Sequence, residues 1–383
     1  MSPEKTKPKE KKKAKKTSRL FSTKTFKTGF IKVAKFLLWL LWDFSGLRYI
    51  YSKIRPPLES KKPERKPATF FLWALGIYTA LFGIASQRYE NRVDIIENRA
   101  NTIFTQLAIP AMQKKALSRI ARTQNMPCPK KPYILKPGTV FASLVGNEDR
   151  YDIIVEHLKE TLEDWQEELV GVNLRYARLQ GVDLEWADLK GAWLIDADLK
   201  NAVLNYADME GAYLYKANLK NAWLLGADLK NAWLARADLT CANLRGADLK
   251  GAWLIDADLR GASLSWSDLM GAWLSESDLS GASLSKVNLQ GASLYKTDLK
   301  GAWLEDVDIE GAKGLTEEQL SQAFTLYKVK GLDPALEKKL KARKPKLFEK
   351  ADFSEFLNAR DFLLTEIKQK KAAVEKEKTE GKK

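Results

Sequence analysis

Residues 227–261 read ADLKN-AWLAR-ADLTC-ANLRG-ADLKG-AWLID-ADLRG, which is seven five-residue units with Leu at the third position of each. The same spacing runs without a gap from position 174 to position 309, and Met209 and Ile309 are the only residues other than Leu, which gives 28 units. A small residue, mostly Ala, stands two positions before each of these central residues. The small-residue positions that depart from Ala or Gly are Val172, Val182, Ser267, Ser277, Val287, Thr297 and Val307.

A period of five residues fits neither an ordinary helix nor a straight strand. In an α-helix a five-residue step turns about 500°, so successive Leu side chains never line up on one face. In a straight strand an odd step places successive Leu side chains on opposite faces. The Leu side chains share one interior only if the chain turns a corner every five residues, and repeated corners build a solenoid.

These units resemble the pentapeptide-repeat family, whose consensus is A-(D/N)-L-x-x. Residues 227–231 and 257–261 match that consensus directly, and the resemblance covers Gly171 to about Lys313. It implies a mainly β fold, a right-handed quadrilateral β-helix with the central Leu and the preceding small residue inside. Four units make one coil of twenty residues, so we expect about seven coils and a rod of ~34 Å at ~4.8 Å per coil.

A second period of twenty residues distinguishes the four sides of this coil by the outward residue just before Leu. The first Asp side carries Asp188, Asp208, Asp228, Asp248, Asp268, Asn288 and Asp308, and the second carries Asp198, Asn218, Asp238, Asp258, Asp278 and Asp298. The fourth side is mixed, with Asp183, Val203, Trp223, Asn243, Ser263, Ser283 and Trp303. The remaining side carries a column that we call the aromatic ladder: Trp193, Tyr213, Trp233, Trp253 and Trp273.

The aromatic ladder departs from the family consensus and is the candidate binding site. Rings one coil apart can stack on each other and stabilise the coil. They can equally present an apolar face to a protein partner or to a membrane surface. Ile195 and Ile255 lie next to the ladder and extend its apolar character. Both interpretations stand at this point, and they are compatible.

The N-terminal part of the sequence suggests a membrane anchor. Residues 68–87 contain no charge, and twenty helical residues span ~30 Å, the thickness of a bilayer core. Residues 30–51, with Trp39 and Trp42, predict a helix lying in the membrane interface, or alternatively a second span. The tail before them is strongly basic, with thirteen Lys or Arg against two Glu in residues 1–35. Such a tail is attracted to anionic lipid or to nucleic acid, or is simply solvated.

These features predict a membrane localisation, in a bacterial inner membrane. The basic loop 52–67 holds six Lys or Arg, so the positive-inside bias places the N-terminal tail in the cytoplasm. The side that carries the repeats depends on whether residues 30–51 cross, and stays open.

Composition excludes several classes of catalytic protein. The chain of 383 residues has one histidine, His157, and two cysteines, Cys128 and Cys241. Such a sequence supplies neither a disulfide framework nor a multi-His or Cys-rich metal site. No nucleophile–base pair and no phosphate-binding loop is present either, so we predict no enzyme activity, no cofactor and no metal.

The sequence therefore divides into eight predicted segments. They are a basic disordered tail (1–29), an interfacial or second membrane helix (30–51), a basic Pro-containing loop (52–67), a transmembrane helix (68–87), a juxtamembrane helix (88–125), a linker with an N-terminal capping helix (126–170), the repeat β-helix (171–313), and C-terminal capping helices with a charged tail (314–383). Within the last segment, Thr316 with Gln319 forms a capping box, and Pro334 stands at the first position of another helix.

The function that these features predict is a membrane-anchored scaffold that binds an unidentified protein partner through the outer faces of the β-helix. One alternative is a regulator of a membrane transport or signalling partner. Another comes from the family resemblance, because its best-known members are acidic rods that mimic DNA and protect DNA gyrase. The repeats carry a net charge of −5, no central position is Phe, and Lys residues interleave with the Asp columns, so nucleic-acid mimicry is the less favoured alternative.

Overall fold

The computed structural model describes residues 69–145, 148–149 and 152–380. The predictions made for residues 1–29, 30–51 and 52–67 lie outside the described residues. The described residues divide into two compact units, formed by residues 69–98 with 127–145 and 148–149 and by residues 99–126 with 152–380.

The described helices and strands precede and follow the repeats in the sequence. The helices are α1 (Thr69–Leu107), α2 (Gln113–Gln124), α3 (Pro137–Val145), α4 (Asp152–Asp164), α5 (Glu317–Ser321), α6 (Pro334–Arg343) and α7 (Phe353–Glu380). Short 3-10 helices cover Pro110–Met112, Gln166–Glu168 and Pro345–Phe348. One two-stranded antiparallel sheet pairs β1 (Cys128–Pro129) with β2 (Glu148–Asp149).

Helix α1 corrects the membrane prediction. Among the described residues, no helix combines the length and the apolar character needed to cross a bilayer. The prediction of a transmembrane helix over 68–87, and with it that of a membrane localisation, is therefore wrong. The uncharged stretch is only the first part of a helix of 39 residues that continues without interruption through Arg88 and Arg92.

In the first compact unit, α1 packs against the segment that follows residue 127. The hydroxyl of Tyr78 donates to the carbonyl of Ile134 at 2.6 Å, and the guanidinium of Arg88 donates to the carbonyl of Leu144 at 2.7 Å. The hydroxyl of Ser143 donates back to the carbonyl of Ala85, a residue that is fully buried. Part of the helix surface that the sequence assigned to lipid is therefore covered by protein.

The repeats form a solenoid with a twenty-residue coil, as the five-residue period predicts. Single-residue parallel bridges join positions twenty apart on all four sides, from Asn173 with Trp193 to Ser293 with Lys313. The central Leu side chains and the small residues two positions before them are almost completely buried, as Leu234 and Ala232 illustrate. Each side contributes a single bridged residue per coil, so the coils are built of turns and bridges rather than of continuous strands.

Each five-residue unit ends at a corner with left-handed backbone. From Gly171 to Gly311 every fifth residue has a positive φ, between 53° and 68°. The expectation of positive φ at the Gly and Asn corners, such as Gly191 and Asn201, is confirmed. The structure adds that the intervening corners adopt the same conformation with ordinary side chains, among them Trp186 and Arg236, although this conformation is unfavourable for residues with a Cβ.

The first coil is closed by side chains and carbonyls from the preceding helices. The backbone N–H groups on its sides have no earlier coil to bond to, and an unsatisfied buried N–H is costly. They donate instead to groups supplied by the preceding elements: Asn173 to Ser118 Oγ, Arg178 to Gln124 Oε1, Asp183 to Glu163 Oε1 and Asp188 to the carbonyl of Gln166. The N-terminal elements thus complete the hydrogen bonding of the solenoid's open end.

The last coil is closed by a modified turn and by the C-terminal helices. Bridges continue from Trp303 to Thr325 and from Asp308 to Lys330, with a spacing of 22 residues because α5 is inserted in this coil. The predicted capping box at Thr316 is confirmed, since its hydroxyl accepts from the N–H of Gln319 and the Gln319 side chain accepts from the Thr316 N–H. Pro at the first position of α6 is also confirmed.

Helix α7 explains the mixed composition of the fourth side. Its first half lies along the corner formed by Gly261, Gly281 and Gly301, where added Cβ atoms would meet Leu363, Leu364 or Arg360 at 2.7–3.2 Å. The small residues on this side therefore leave room for the helix. At its start, Trp303 is 3% exposed and packs against a cluster of rings that the sequence did not predict: Phe324, Phe353 and Phe356.

Candidate interaction surface

The five residues of the aromatic ladder lie one above another on the outside of consecutive coils. Neighbouring ring centroids are 5.2, 5.8, 5.1 and 5.5 Å apart from Trp193 down to Trp273. The four tryptophans nevertheless keep 37–47% of their surface exposed, and Tyr213 is half-buried. The rings from Trp233 to Trp273 are stacked, whereas both pairs that include Tyr213 are tilted by 44°. The stacking and the exposed-face interpretations therefore apply to the same column.

The backbone beneath the ladder has no free hydrogen-bonding capacity. The N–H of Trp253 donates to the carbonyl of Ala232 at 2.9 Å, and the carbonyl of Trp253 accepts from the N–H of Leu234 at 2.8 Å. The same pattern recurs at Trp193, Tyr213 and Trp233. A partner therefore cannot add a strand to this side and has to be recognised through the side chains.

The two ends of the ladder differ. At the end nearer the N-terminus, the guanidinium of Arg175 lies 4.5 Å from the ring centroid of Trp193, in a cation–π contact. At the end nearer the C-terminus, Trp273 forms its next bridge with Ser293, a small residue whose hydroxyl hydrogen-bonds to that of Ser275. The coil of Ser293 thus contributes a polar, low step to the surface where the row of rings ends.

A column of charged residues runs along the corner that follows the ladder, and we call it the corner column. Its members, one per coil, are Asp196, Lys216, Arg236, Asp256, Glu276 and Lys296. All six are exposed. Within the chain, Arg236 pairs with Asp256 at 2.9 Å and Lys296 pairs with Glu276 at 3.3 Å. Exposed pairs of this kind contribute little to stability, so these charges are available for other contacts.

The corner on the other edge of the ladder, which precedes the ladder residue in each coil, is flat. It consists mainly of glycines, and a Cβ added at Gly191, Gly211, Gly271 or Gly291 would meet nothing within 4 Å. The lysines just before this corner turn away from the ladder toward the first Asp side. The ammonium of Lys230 lies 2.6 Å from the carboxylate of Asp228, and that of Lys250 lies 3.0 Å from the carboxylate of Asp268. These carboxylates raise the pKa of both lysines.

The second Asp side contains a half-buried charge network. The guanidinium of Arg260, of which 10% of the side chain is exposed, contacts the carboxylate of Asp258 in its own coil and that of Asp278 in the next coil. Burial raises the pKa of Asp278, and hydrogen bonds from Ser280 act against that increase. Asp258 and Asp298 raise it further by charge repulsion. These carboxylates are therefore held in intramolecular contacts.

Other exposed aromatic residues lie outside the ladder. Trp186 stacks on Tyr206 with ring centroids 4.4 Å apart, and the ammonium of Lys286 lies 4.0 Å over the ring of Trp266. Trp223, on the fourth side, is 54% exposed. The twenty-residue spacing of positions 186, 206 and 266 was the signal that could have identified the first two pairs, because it places them on one corner.

His157, the single histidine of the sequence, packs against neighbouring side chains. The imidazole of His157 packs edge-on against Phe104, with ring centroids 4.7 Å apart, and lies 3.5 Å from the carboxylate of Glu160. In the part of the chain that the structure describes, no group of three His, Cys, Asp or Glu side chains could hold a metal ion.

Comparison with known proteins identifies the repeats. The family model described as "Pentapeptide repeats" matches eight copies, over residues 168–192, 194–231, 222–261, 237–272 and 272–311. The chain belongs to the pentapeptide-repeat family. Membership implies the right-handed β-helix, and pentapeptide-repeat proteins are in general structural or interaction proteins. None of the curated proteins compared with the chain matches it.

Several solved pentapeptide-repeat proteins are similar to this chain. HetL from the cyanobacterium Nostoc sp. strain PCC 7120, a protein involved in regulating heterocyst differentiation, is 32% identical over 42% of this chain and 81% of its own, with a TM-score of 0.21. A protein from the thylakoid lumen of Arabidopsis thaliana is also 32% identical, over 30% of this chain and 68% of its own, with a TM-score of 0.16. QnrB1, a plasmid-mediated fluoroquinolone resistance protein, is 20% identical over 46% of this chain and 94% of its own, with a TM-score of 0.26.

Proposed function

We propose that this pentapeptide-repeat protein is a rigid scaffold that binds a protein partner through the aromatic ladder. The observation that carries the proposal is the continuous row of half-exposed tryptophans on one side of the solenoid. The Leu and Ala columns already form a closed interior, so these rings are not needed to fill a core. Large exposed aromatic patches are typical of surfaces that bind another protein.

The chemistry of the ladder favours recognition through ring edges. Because Trp233, Trp253 and Trp273 stack on one another, this part of the surface presents aromatic edges, which carry positive partial charge. Indole is a hydrogen-bond donor only, so Trp193, Trp233, Trp253 and Trp273 each bring an N–H group to this surface. A complementary partner therefore offers apolar groups between hydrogen-bond acceptors, at the ~4.8 Å repeat of the coils.

The Asp sides are less suited to mimic a nucleic acid. An acidic rod that imitates a duplex needs carboxylates that face solvent in unbroken rows. Here Lys190 binds Asp208 and Glu210, Lys250 binds both Asp248 and Asp268, and Arg260 contacts Asp258 and Asp278. The rows are therefore locally neutralised by cations of the same chain.

Site-specific photo-crosslinking tests the proposed function. A photo-reactive amino acid at position 233 should form a discrete adduct, which mass spectrometry identifies, whereas the same group at position 298 on the second Asp side should not. The identified partner is then purified, and its affinity is measured for the wild type, for Trp233→Ser/Trp253→Ser and for Trp223→Ser.

Trp223→Ser is the matched control, because it removes an exposed tryptophan from the equivalent position on the fourth side. We expect the ladder variant to lose most of its affinity and the control variant to retain it. Equal binding by the two variants, with equal melting temperatures, would contradict the proposal.

A further inference from the structure

We infer that the partner of the aromatic ladder is a second copy of this chain, packed against it antiparallel through the same side. This inference rests on the proposed function, since it names the occupant of the surface proposed above. It comes from the charges of the corner column, from the flatness of the opposite corner and from the place where the row of rings ends.

The corner column is complementary to itself when one copy is reversed. Read along the chain from Asp196 to Lys296, its charges are negative, positive, positive, negative, negative and positive. In an antiparallel dimer whose two-fold axis passes between the coils of Trp233 and Trp253, the column faces its own reversed copy. Every facing pair then carries opposite charges: Asp196 with Lys296, Lys216 with Glu276, and Arg236 with Asp256, each formed twice.

Other antiparallel registers bring like charges together. A shift by one coil in one direction places Asp196 opposite Glu276, and the same shift in the other direction places Lys216 opposite Lys296. Facing like charges is unfavourable at an interface and selects against wrong registers. The charge pattern therefore specifies one register.

The rings agree with this register. Trp233 faces Trp253 of the second copy, Tyr213 faces Trp273, and Trp193 faces Ser293. The last pairing explains a feature of the surface, because the low step at Ser293 leaves space for the cation–π pair of Trp193 and Arg175 at the opposite end. An isologous two-fold interface requires this kind of self-complementary surface.

A parallel dimer is less favourable. It would place the corner column opposite the other edge of the ladder, where the flanking cations are Lys190, Lys230 and Lys250. These ammonium groups are bound by carboxylates of the first Asp side, at 2.6–3.3 Å, and face away from the ladder. The glycine corner between them and the rings offers no charge to pair with the corner column.

The available area approaches that of a small specific interface. With ~250 Å² per large aromatic side chain, exposed fractions of 37–47% leave about 100 Å² on each tryptophan. The rings of two copies would thus remove about 800 Å² from solvent. The flanking corner residues over six coils, a length of ~29 Å, raise this toward the ~1,200 Å² lower limit of stable interfaces.

Charge exchange between Lys216 and Glu276 tests the inference, because these residues are three coils apart in one chain, ~14 Å, and cannot pair within it. The full-length chain is prepared as wild type, as Lys216→Glu and as Glu276→Lys, and its mass is measured by sedimentation equilibrium. We expect the wild type at twice the chain mass of 43.4 kDa. Each single variant should dissociate about 100-fold more readily, because two attractive contacts become repulsive.

An equimolar mixture of Lys216→Glu and Glu276→Lys should restore the dimer. In the mixed dimer, position 216 of each copy again faces an opposite charge at position 276 of the other copy. Effects within each chain are identical before and after mixing, so only a contact between copies can produce this recovery. Wild type that remains monomeric, or a mixture that remains as dissociated as its components, overturns the inference. A dimer that both single variants leave unchanged indicates a parallel or unrelated interface and also overturns it.

The outcome also separates this inference from the proposed function. If the wild type is monomeric but a different protein is crosslinked at position 233 and lost in Trp233→Ser/Trp253→Ser, the proposed function stands and the second copy is rejected. If the dimer forms and the ladder variant does not weaken it, the ladder is rejected as the docking surface for a second copy.

Discussion

Trp233 and Trp253 lie in consecutive coils with their ring centroids 5.1 Å apart and their planes 11° from parallel. They are twenty residues apart in the sequence, and the parallel bridge between their backbones brings the rings together. The ladder is thus a product of the coil period. Its rings stabilise each other and at the same time form an exposed surface.

A double-mutant cycle measures the stabilising part of this contact. Replacing Trp233 and Trp253 with Ala, singly and together, should give a coupling energy of about 0.5–1.5 kcal/mol in chemical denaturation, because the two rings are in direct contact. The control is the pair Trp233 and Trp273, which are two coils apart and should show coupling near zero. Equal coupling in both cycles would show that the effect is not due to ring contact.

The inward Leu column supplies the main stabilising term of the coil. Leu234 is fully buried, so Leu234→Ala should lower the free energy of unfolding by about 2–5 kcal/mol through lost burial and a residual cavity. Thermal melting measures this loss. The outward substitution Ala235→Ser on the same coil is the control and should change stability by no more than ~0.5 kcal/mol. A melting curve unaffected by Leu234→Ala would contradict the inward assignment.

Two serines in the interior should respond to substitution with opposite signs. The hydroxyl of Ser267 is buried and has no hydrogen-bond partner within the described part of the chain, whereas that of Ser277 donates to the carbonyl of Leu274 at 2.6 Å. Ser267→Ala removes an unsatisfied polar group and should stabilise the protein by about 1 kcal/mol. Ser277→Ala removes a hydroxyl that is hydrogen-bonded and should destabilise the protein by about the same amount. Denaturant unfolding of both variants checks this, and shifts of the same sign would refute it.

Asp278 should oppose folding at neutral pH. Burial raises its pKa in the folded state above the unfolded value, so the folded protein binds this proton more tightly. The ionised carboxylate therefore lowers the stability of the folded protein fully at pH values above the raised pKa. This destabilisation is relieved as the pH falls through that pKa. Asn at this position is neutral and keeps the oxygen that accepts from the Ser280 N–H.

Melting temperatures of wild type and Asp278→Asn, measured at neutral and at mildly acidic pH, test this expectation. The variant should be the more stable protein at neutral pH, and the difference should shrink on acidification. Asp298→Asn, which removes an exposed carboxylate from the same side, provides the comparison. A difference that grows as the pH falls would show that the Arg260 contact outweighs burial.

The parts of the fold that the sequence predicted are those that repeat. Leu at every fifth position indicates a corner in each unit, and the twenty-residue period places Trp233 above Trp253 without any information from distant segments. The capping box at Thr316 was also predictable, because all of its contacts lie within four residues. Such features depend on local geometry, and in a regular sequence the same local pattern recurs in every unit.

The features that the sequence left open depend on contacts between distant segments. Residues 68–87 have the composition of a membrane span, yet the carbonyl of Ile134 and the hydroxyl of Ser143 bind that helix from more than fifty residues away. The small residues of the fourth side have no evident purpose until α7 is placed over Gly261 and Gly281. Trp303 looks like another surface aromatic but is buried by Phe356.

For this protein, then, the sequence alone determined a stacked coil with Leu inside and aromatic residues outside, since a five-residue period leaves a single common interior. Only the tertiary structure decided how the two ends of the coil are closed, which aromatic residues stay exposed and which charges remain free. Those outcomes depend on which non-repeating segments pack against the coil, and a pairing of that kind has no periodic signal in the chain.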